Sequence, residues 1–169
     1  MRKAIVALVA LIVLALSLRV FAFQNEPGGF RDLKWGDPPT EDMVEFGKDT
    51  NRYRRTYVKL EEELYLDNVR LDYIYYDFLI TPEKDPQFFF VLLWFPDAHK
   101  FYSLEEICVD RFGLPTHKET WGDNVELRMW SSETTTVILD GDLAGGILSI
   151  EWKPLSEQYR NLLVYDDSD

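Results

Sequence analysis

From Gln87 to Phe95 the chain reads Gln-Phe-Phe-Phe-Val-Leu-Leu-Trp-Phe, eight consecutive apolar side chains behind one polar one. Successive side chains of a strand point to opposite faces, so a strand that is apolar on both parities belongs at the centre of a sheet and asks for cover on each side. Val69–Ile80, rich in β-branched and aromatic residues, is its natural neighbour. Thr81–Pro86, with Pro82, Lys84, Asp85 and Pro86, predicts a long polar hairpin loop between them. In the first of these strands Tyr73 and Tyr75 fall on one face, and Ile74, Tyr76 and Phe78 on the other. Both faces cannot be equally deep in a single-layer sheet unless something covers each.

The remaining elements follow from local patterns. Phe30–Trp35 alternates weakly as a first strand, and Gly36–Pro39 breaks it. Thr40, followed by Glu41, Asp42, Met43, Val44 and Phe46, predicts an N-cap and a short helix ended by Gly47. Val58, Leu60, Leu64 and Leu66 share one parity and predict a strand, with Asp67-Asn68 as a turn. Ser103-Leu104-Glu105-Glu106 has the form of a capping box. The helix it would open carries a stripe of Leu104, Ile107, Cys108 and Arg111 or Phe112, and Gly113 and Pro115 stop it. Strands are expected at Glu119–Trp121, Val125–Trp130, Thr134–Leu139 and Ile147–Trp152, with turns at Gly122–Asn124, Ser131–Glu133 and Gly141–Gly146.

These elements predict an α+β fold: an antiparallel sheet with two helices on one face, arranged as two helix-plus-meander halves. The expected organisation is a signal peptide at residues 1–22, a flexible leader at 23–29, one α+β domain at 30–155, and a C-terminal segment at 156–169 with an acidic tail. A cationic start of Met1, Arg2 and Lys3 and an uncharged run from Ala4 to Leu18 have the order of a secretion signal. A membrane span would want roughly 20 apolar residues, and Arg19 interrupts this run first, although an uncleaved anchor extended past Arg19 by Val20, Phe21 and Phe23 is the alternative. Val20 and Ala22 supply small residues at −3 and −1, so cleavage is expected after Ala22, giving a periplasmic or secreted protein that touches the membrane only through the signal peptide.

The formal charge is −12, and becomes −15 once Arg2, Lys3 and Arg19 leave, since no acid goes with them. The nearest approach to a basic patch is Lys48 with Arg52, Arg54 and Arg55, immediately followed by Glu61, Glu62 and Glu63, so nucleic acid is not an expected partner. Cys108 is the single cysteine and can make no internal disulfide; the fold must stand on its core. About 150 residues suffice for that.

His99, His117 and Cys108 lack paired ligand spacing, so no metal or cofactor is expected. Asp140-Gly141-Asp142 imitates the start of a calcium loop, but a hairpin turn explains it as well. Cys108 on an apolar helical stripe is expected to be a buried hydrophobe rather than a nucleophile activated by His117. Ser131, Ser132, Thr134, Thr135 and Thr136 look like turn and strand residues, and no nucleophile elbow is present. The aromatic strand is the feature that points to binding: Tyr73, Tyr75 and Tyr76 are candidate binding residues, because aromatics with a polar tip suit protein interfaces and sugar stacking, against the plainer reading of a core whose tyrosine hydroxyls merely reach water.

Phe30-Arg31-Asp32-Leu33-Lys34-Trp35-Gly36 resembles the opening of small exported bacterial proteins that begin F-R-x-[IL]-K-W-G. Phe112-Gly113-Leu114-Pro115 and Ile150-Glu151-Trp152-Lys153-Pro154-Leu155 are similar to later landmarks of that family. The order of helix and meander also resembles BamE-type outer-membrane assembly lipoproteins and β-lactamase inhibitor proteins, although the lipidated cysteine of the former is missing. That resemblance implies a role in binding other proteins. The expectation is therefore a non-enzymatic protein-binding or envelope-assembly module whose partner is another envelope protein; an envelope hydrolase with an acidic active site is the alternative.

Overall fold

The computed structural model describes residues 23–47, 51–122 and 125–166. The expected export segment lies outside them, as do Asp123 and Asn124 of one expected turn and the end of the acidic tail.

The aromatic segments form the longest strands. β1 (Gly29–Phe30) and β2 (Leu33–Lys34) make a small hairpin, followed by β3 (Met43–Glu45), β4 (Arg54–Lys59), the pair β5 (Tyr65–Leu66) and β6 (Val69–Arg70), β7 (Tyr73–Thr81) and β8 (Lys84–Phe95). Helix α1 (Ala98–Phe112) leads into β9 (His117–Trp121), β10 (Val125–Ser131), β11 (Thr135–Asp142) and β12 (Gly145–Trp152), and α2 (Lys153–Asp166) ends the described chain. Eight strands form one antiparallel sheet in the order β3-β4-β7-β8-β12-β11-β10-β9. It is two four-stranded meanders joined where β8 pairs β12, which places the Gln87–Phe95 run at the centre.

Several expectations are corrected. Thr40–Phe46 is not a helix: Met43 pairs Lys59 and Val44 pairs Val58 in the edge strand β3. One helical turn is unfavourable on its own because nucleation is costly, whereas β4 offers an open row of backbone partners. The pair of helices expected to share a face is therefore not the pair found. Phe30–Trp35 is a hairpin rather than one strand, turning at Arg31 with φ of 55°. The strand expected over Val58–Leu66 breaks after Lys59, leaving Leu60 exposed. Thr81–Pro86 is not a long loop; Thr81 pairs Lys84 across Pro82-Glu83, and an irregularity in the ladder accommodates Pro86, which has no N–H to donate. The segment from 156 onward continues α2, with Pro154 tolerated in the first turn.

α1 begins earlier than a capping box at Ser103 would place it. Asp97 is the N-cap, its carboxylate accepting from His99 N–H at 2.9 Å. The stripe holds: Phe101, Leu104, Cys108 and Phe112 are buried, and Ile107 packs beside them. Gly113, at φ 82°, closes the helix with its N–H on Val109 C=O. Two further end carbonyls are met by the expected flexible leader, which is docked instead. Gln24 N–H donates to Phe112 C=O at 2.8 Å and Asn25 Nδ2 to Arg111 C=O at 2.9 Å, while Phe23 packs edge-on against Phe112.

The two helices serve different apolar clusters. α1 packs on β11 and β12, covering side chains such as Leu139 and Leu148, while Tyr76 on the same side of the sheet lies against Phe30 of the first hairpin. α2 brings Leu155 to Leu79 and Phe89, with Tyr159 and Leu162 alongside. In β7 the parity of Leu79 is that of Tyr73, Tyr75 and Asp77, opposite to that of Tyr76 and Phe78. An ion cluster ties α1 to the second meander: Arg128, against the Phe101 ring, donates to Glu105 at 2.8 Å and meets Glu126 at 2.7 Å, and Lys118 reaches the same Glu105 oxygen at 2.9 Å.

Candidate functional site

The central strand β8 does not receive the two-sided cover its composition asks for. Val91, Leu93 and Phe95 are buried in the same core cluster as the α1 stripe, but Phe90, Leu92 and Trp94 alternate with them in a half-exposed state, since α2 reaches only the Leu79–Phe89 end of their face. The register extends this open face across the sheet. Tyr73, Trp94, Ile147, Asp140 and Leu127 are successive cross-strand partners; Tyr75, Leu92, Ser149, Ile138 and Met129 form the next row.

The aromatic side chains on it touch one another. Tyr73 stacks on Tyr75 with centroids 5.9 Å apart and lies 5.9 Å from Trp94, and Phe46 meets Tyr75 at 5.0 Å. Tyr73 is 53% exposed and Phe46 52%, exposures that belong to a surface and not a core. Partial burial raises the pKa of the Tyr75 phenol, with neighbouring Tyr73 adding to it, so its O–H is a neutral donor at physiological pH. Rings that lose little rotamer freedom on being covered, three of the four with a polar tip, form a surface suited to contact with another molecule.

Between Phe46, Tyr75 and Phe90 lies an open hollow of about 480 Å³ with Asp77 on its floor. Asp77 is nearly buried, accepts from Thr56 Oγ1 at 2.6 Å, and faces Arg54 at 3.7 Å. Asp77 is the one carboxylate among its described lining residues, so these residues do not supply a glycosidase-type acid pair.

Of the three candidate tyrosines, Tyr73 and Tyr75 lie together on this face and Tyr76 does not. Tyr76 is fully buried on the α1 side, where its hydroxyl donates to Glu62 at 2.8 Å; burial, the largest cause, drives its pKa upward. It is a core residue. Phe46 and Trp94 are the members that sequence reasoning missed. Trp94 was legible from parity, two places from Leu92 along β8 and opposite Tyr73; Phe46 was not, because its place depends on β3 being a strand.

The remaining groups take structural roles. Burial pushes the Cys108 thiol up to about 12, which leaves it protonated and inert. His117 sits on the exposed strand β9 beside Glu119. Asp140-Gly141-Asp142 belongs to the tight β11–β12 hairpin, in which Asp142 accepts from Ala144 N–H at 2.7 Å, while Glu151 stands at the far end of β12 opposite Thr136 and pairs with Arg160. Among the described residues no group of three or more His, Cys, Asp or Glu is placed to hold a metal ion. Lys153 Nζ lies 2.8 Å from Ser131 Oγ, but it also bonds Ser132 C=O and faces Glu26, so it clasps a turn rather than serving as a base. No described helix is long and apolar enough to cross a membrane.

Comparison with known proteins finds no matching family model, no similar curated protein and no matching solved structure.

Proposed function

We infer that this chain is an exported, non-enzymatic protein-binding module of the cell envelope, periplasmic or secreted, and that it binds through the open face of its sheet. The observation that carries this reading is the contiguous row Phe46, Tyr75, Tyr73 and Trp94, whose rings touch one another while remaining accessible. A face this apolar gains free energy when a partner removes it from water, at roughly 25 cal/mol per Å² of apolar area before the costs of association. The signal-like order of residues 1–22 supports export. The resemblance to F-R-x-[IL]-K-W-G exported proteins and to assembly and inhibitor folds that bind proteins points the same way. In this reading the two halves are two four-stranded meanders, each followed by a helix rather than preceded by one.

The test is site-specific photo-crosslinking in the native envelope. A photoreactive residue at Tyr73 is expected to trap one recurring protein, and the same probe at Glu106, exposed on α1, is expected to trap none of it. Equal yields from both positions, or no recurring product from Tyr73, would overturn the reading.

A further inference from the structure

The carboxylates on the open face differ in whether they have partners. Asp77 has Thr56 and Arg54, Glu151 has Arg160, and Glu119 accepts from Trp121 Nε1 at 2.6 Å and lies beside His117. Asp140 makes no hydrogen bond or ion pair among the described residues although it is only half exposed, and Asp142 commits an oxygen to the Ala144 amide alone. These two acids share a hollow of about 370 Å³ with Trp94, Ile147 and Val125. Asp140 pairs Ile147 and Ile147 pairs Trp94, so the carboxylate and the indole stand two strands apart, on the order of 10 Å, with an isoleucine as the floor between them.

An aromatic face and two carboxylates without a cation describe what is missing from the hollow. A planar guanidinium stacks on an indole and donates charge-assisted hydrogen bonds from its edge, which a carboxylate accepts; both contacts can be made at once across this gap. A neutral or acidic group placed here would instead strip water from Asp140 and leave it unpaired, which is costly. A second copy of the chain fits poorly for the same reason, since it would bring the same uncompensated acids to the seam of a protein already at −12. The apolar surface continues past the hollow through Leu127, Ile138, Leu92 and Met129, so the matching ligand is longer than a single cation and is apolar on either side of it.

We propose that the open face docks an arginine-bearing, otherwise apolar segment of a partner protein, with the guanidinium stacked on Trp94 and its donor edge turned toward Asp140 and Asp142. This rests on the reading of the sheet face as a protein-binding surface and names the chemistry of its partner. The acidic charge of the whole chain draws such a segment in, and the hollow sets its register.

The probe is a synthetic nine-residue peptide alternating leucine and arginine, compared with the same peptide carrying citrulline, a neutral group of the same shape, by fluorescence anisotropy on the full chain at physiological ionic strength. The arginine peptide is expected to bind at least tenfold more tightly than the citrulline peptide. Asp140→Asn with Asp142→Asn should weaken it at least tenfold. Asp140→Asn alone should retain a large share of that loss while leaving the Asp142–Ala144 turn bond in place. Glu106→Gln with Asp110→Asn, an equal change of charge on α1, should leave affinity unaltered. Absence of binding, equal binding of the two peptides, or equal losses from the two double variants would overturn the proposal. A recurring crosslink from Tyr73 accompanied by any of those results would leave the protein-binding reading standing and remove only its arginine.

Discussion

Tyr76 donates its hydroxyl to Glu62 at 2.8 Å, joining the middle of β7 to the loop after β4 beneath the first hairpin. Arg31, at the tip of that hairpin, pairs with the same carboxylate and donates to the carbonyls of Glu63 at 2.6 Å and Tyr65 at 2.8 Å. A nearly buried carboxylate thus has both a cation and a hydroxyl, which is what keeps its burial tolerable.

Tyr76→Phe should therefore destabilise the fold by roughly 1 to 3 kcal/mol, the usual worth of a hydrogen bond to a charged group, and leave crosslinking from position 73 unchanged. Urea melts and crosslink yield check the two halves of this statement. A Tyr76→Phe variant that kept its stability but lost crosslinking would return Tyr76 to the binding surface.

The start of α1 is set by Asp97, well ahead of the box at Ser103. Asp97→Ala should cost ~0.5 to 2 kcal/mol, and Ser103→Ala, in the second turn, should fall within about 0.5 kcal/mol of the parent. Reversed magnitudes in chemical denaturation would restore the capping box.

What the sequence disclosed tracks how local the cause is. The central strand, the stripe Leu104, Ile107, Cys108 and Phe112, the Gly113 stop and the β9–β12 meander were legible because period and turn chemistry decide them within a few residues. Met43–Glu45 misread as helix because its acids and Thr40 imitate a cap, whereas the deciding fact, an unpaired edge on β4, lies elsewhere in the chain. α2 was hidden by Pro154, which ends a helix when internal but is harmless in a first turn. Parity separated Tyr73 and Tyr75 from Tyr76 at once. Which parity meets water could not be read, since that depends on α1 and α2 folding back over particular faces.

Glu105 should give the fold a measurable acid dependence. Burial works against its charge, yet hydrogen bonds from Lys118 and Arg128, with their positive charges, outweigh that and hold its carboxyl below the ordinary value of 4.5. The stability contributed is thus fully present above pH 4.5 and is lost as pH falls through the lower value of the folded state. Glu105→Gln should cost roughly 1 to 3 kcal/mol at neutral pH, because Arg128 loses one of its two carboxylate partners, and should flatten the stability profile in the acid range. An unchanged acid limb in urea titrations at several pH values would show the cluster to be idle.

Gly146 stands opposite Gly141 on β11, where a Cβ would lie 2.1 Å from the Asp140 carbonyl oxygen, 2.6 Å from the Gly141 Cα and 2.8 Å from a ring carbon of Phe95. Two of these atoms are backbone and cannot step aside cheaply. Gly146→Ala should cost ~1 to 3 kcal/mol or more in a thermal or urea melt, and it should also disturb the Trp94–Asp140 hollow that Gly146 helps to line.

The docking of Gln24 and Asn25 on the last carbonyls of α1 would give the proposed cleavage after Ala22 a thermodynamic meaning. Cutting after Ala22 would create a new α-ammonium on Phe23, one residue from the amide that bonds Phe112 C=O, at the negative end of a fifteen-residue helix. A positive charge there is worth about 0.3 to 1 kcal/mol, so trimming would tighten the product as well as release it, and the matured chain should melt above a version extended by even one alanine. The first residues of the cleaved chain would then be the ones that finish a helix made much later in the chain, and removal of the signal segment would be registered in the stability of the fold itself.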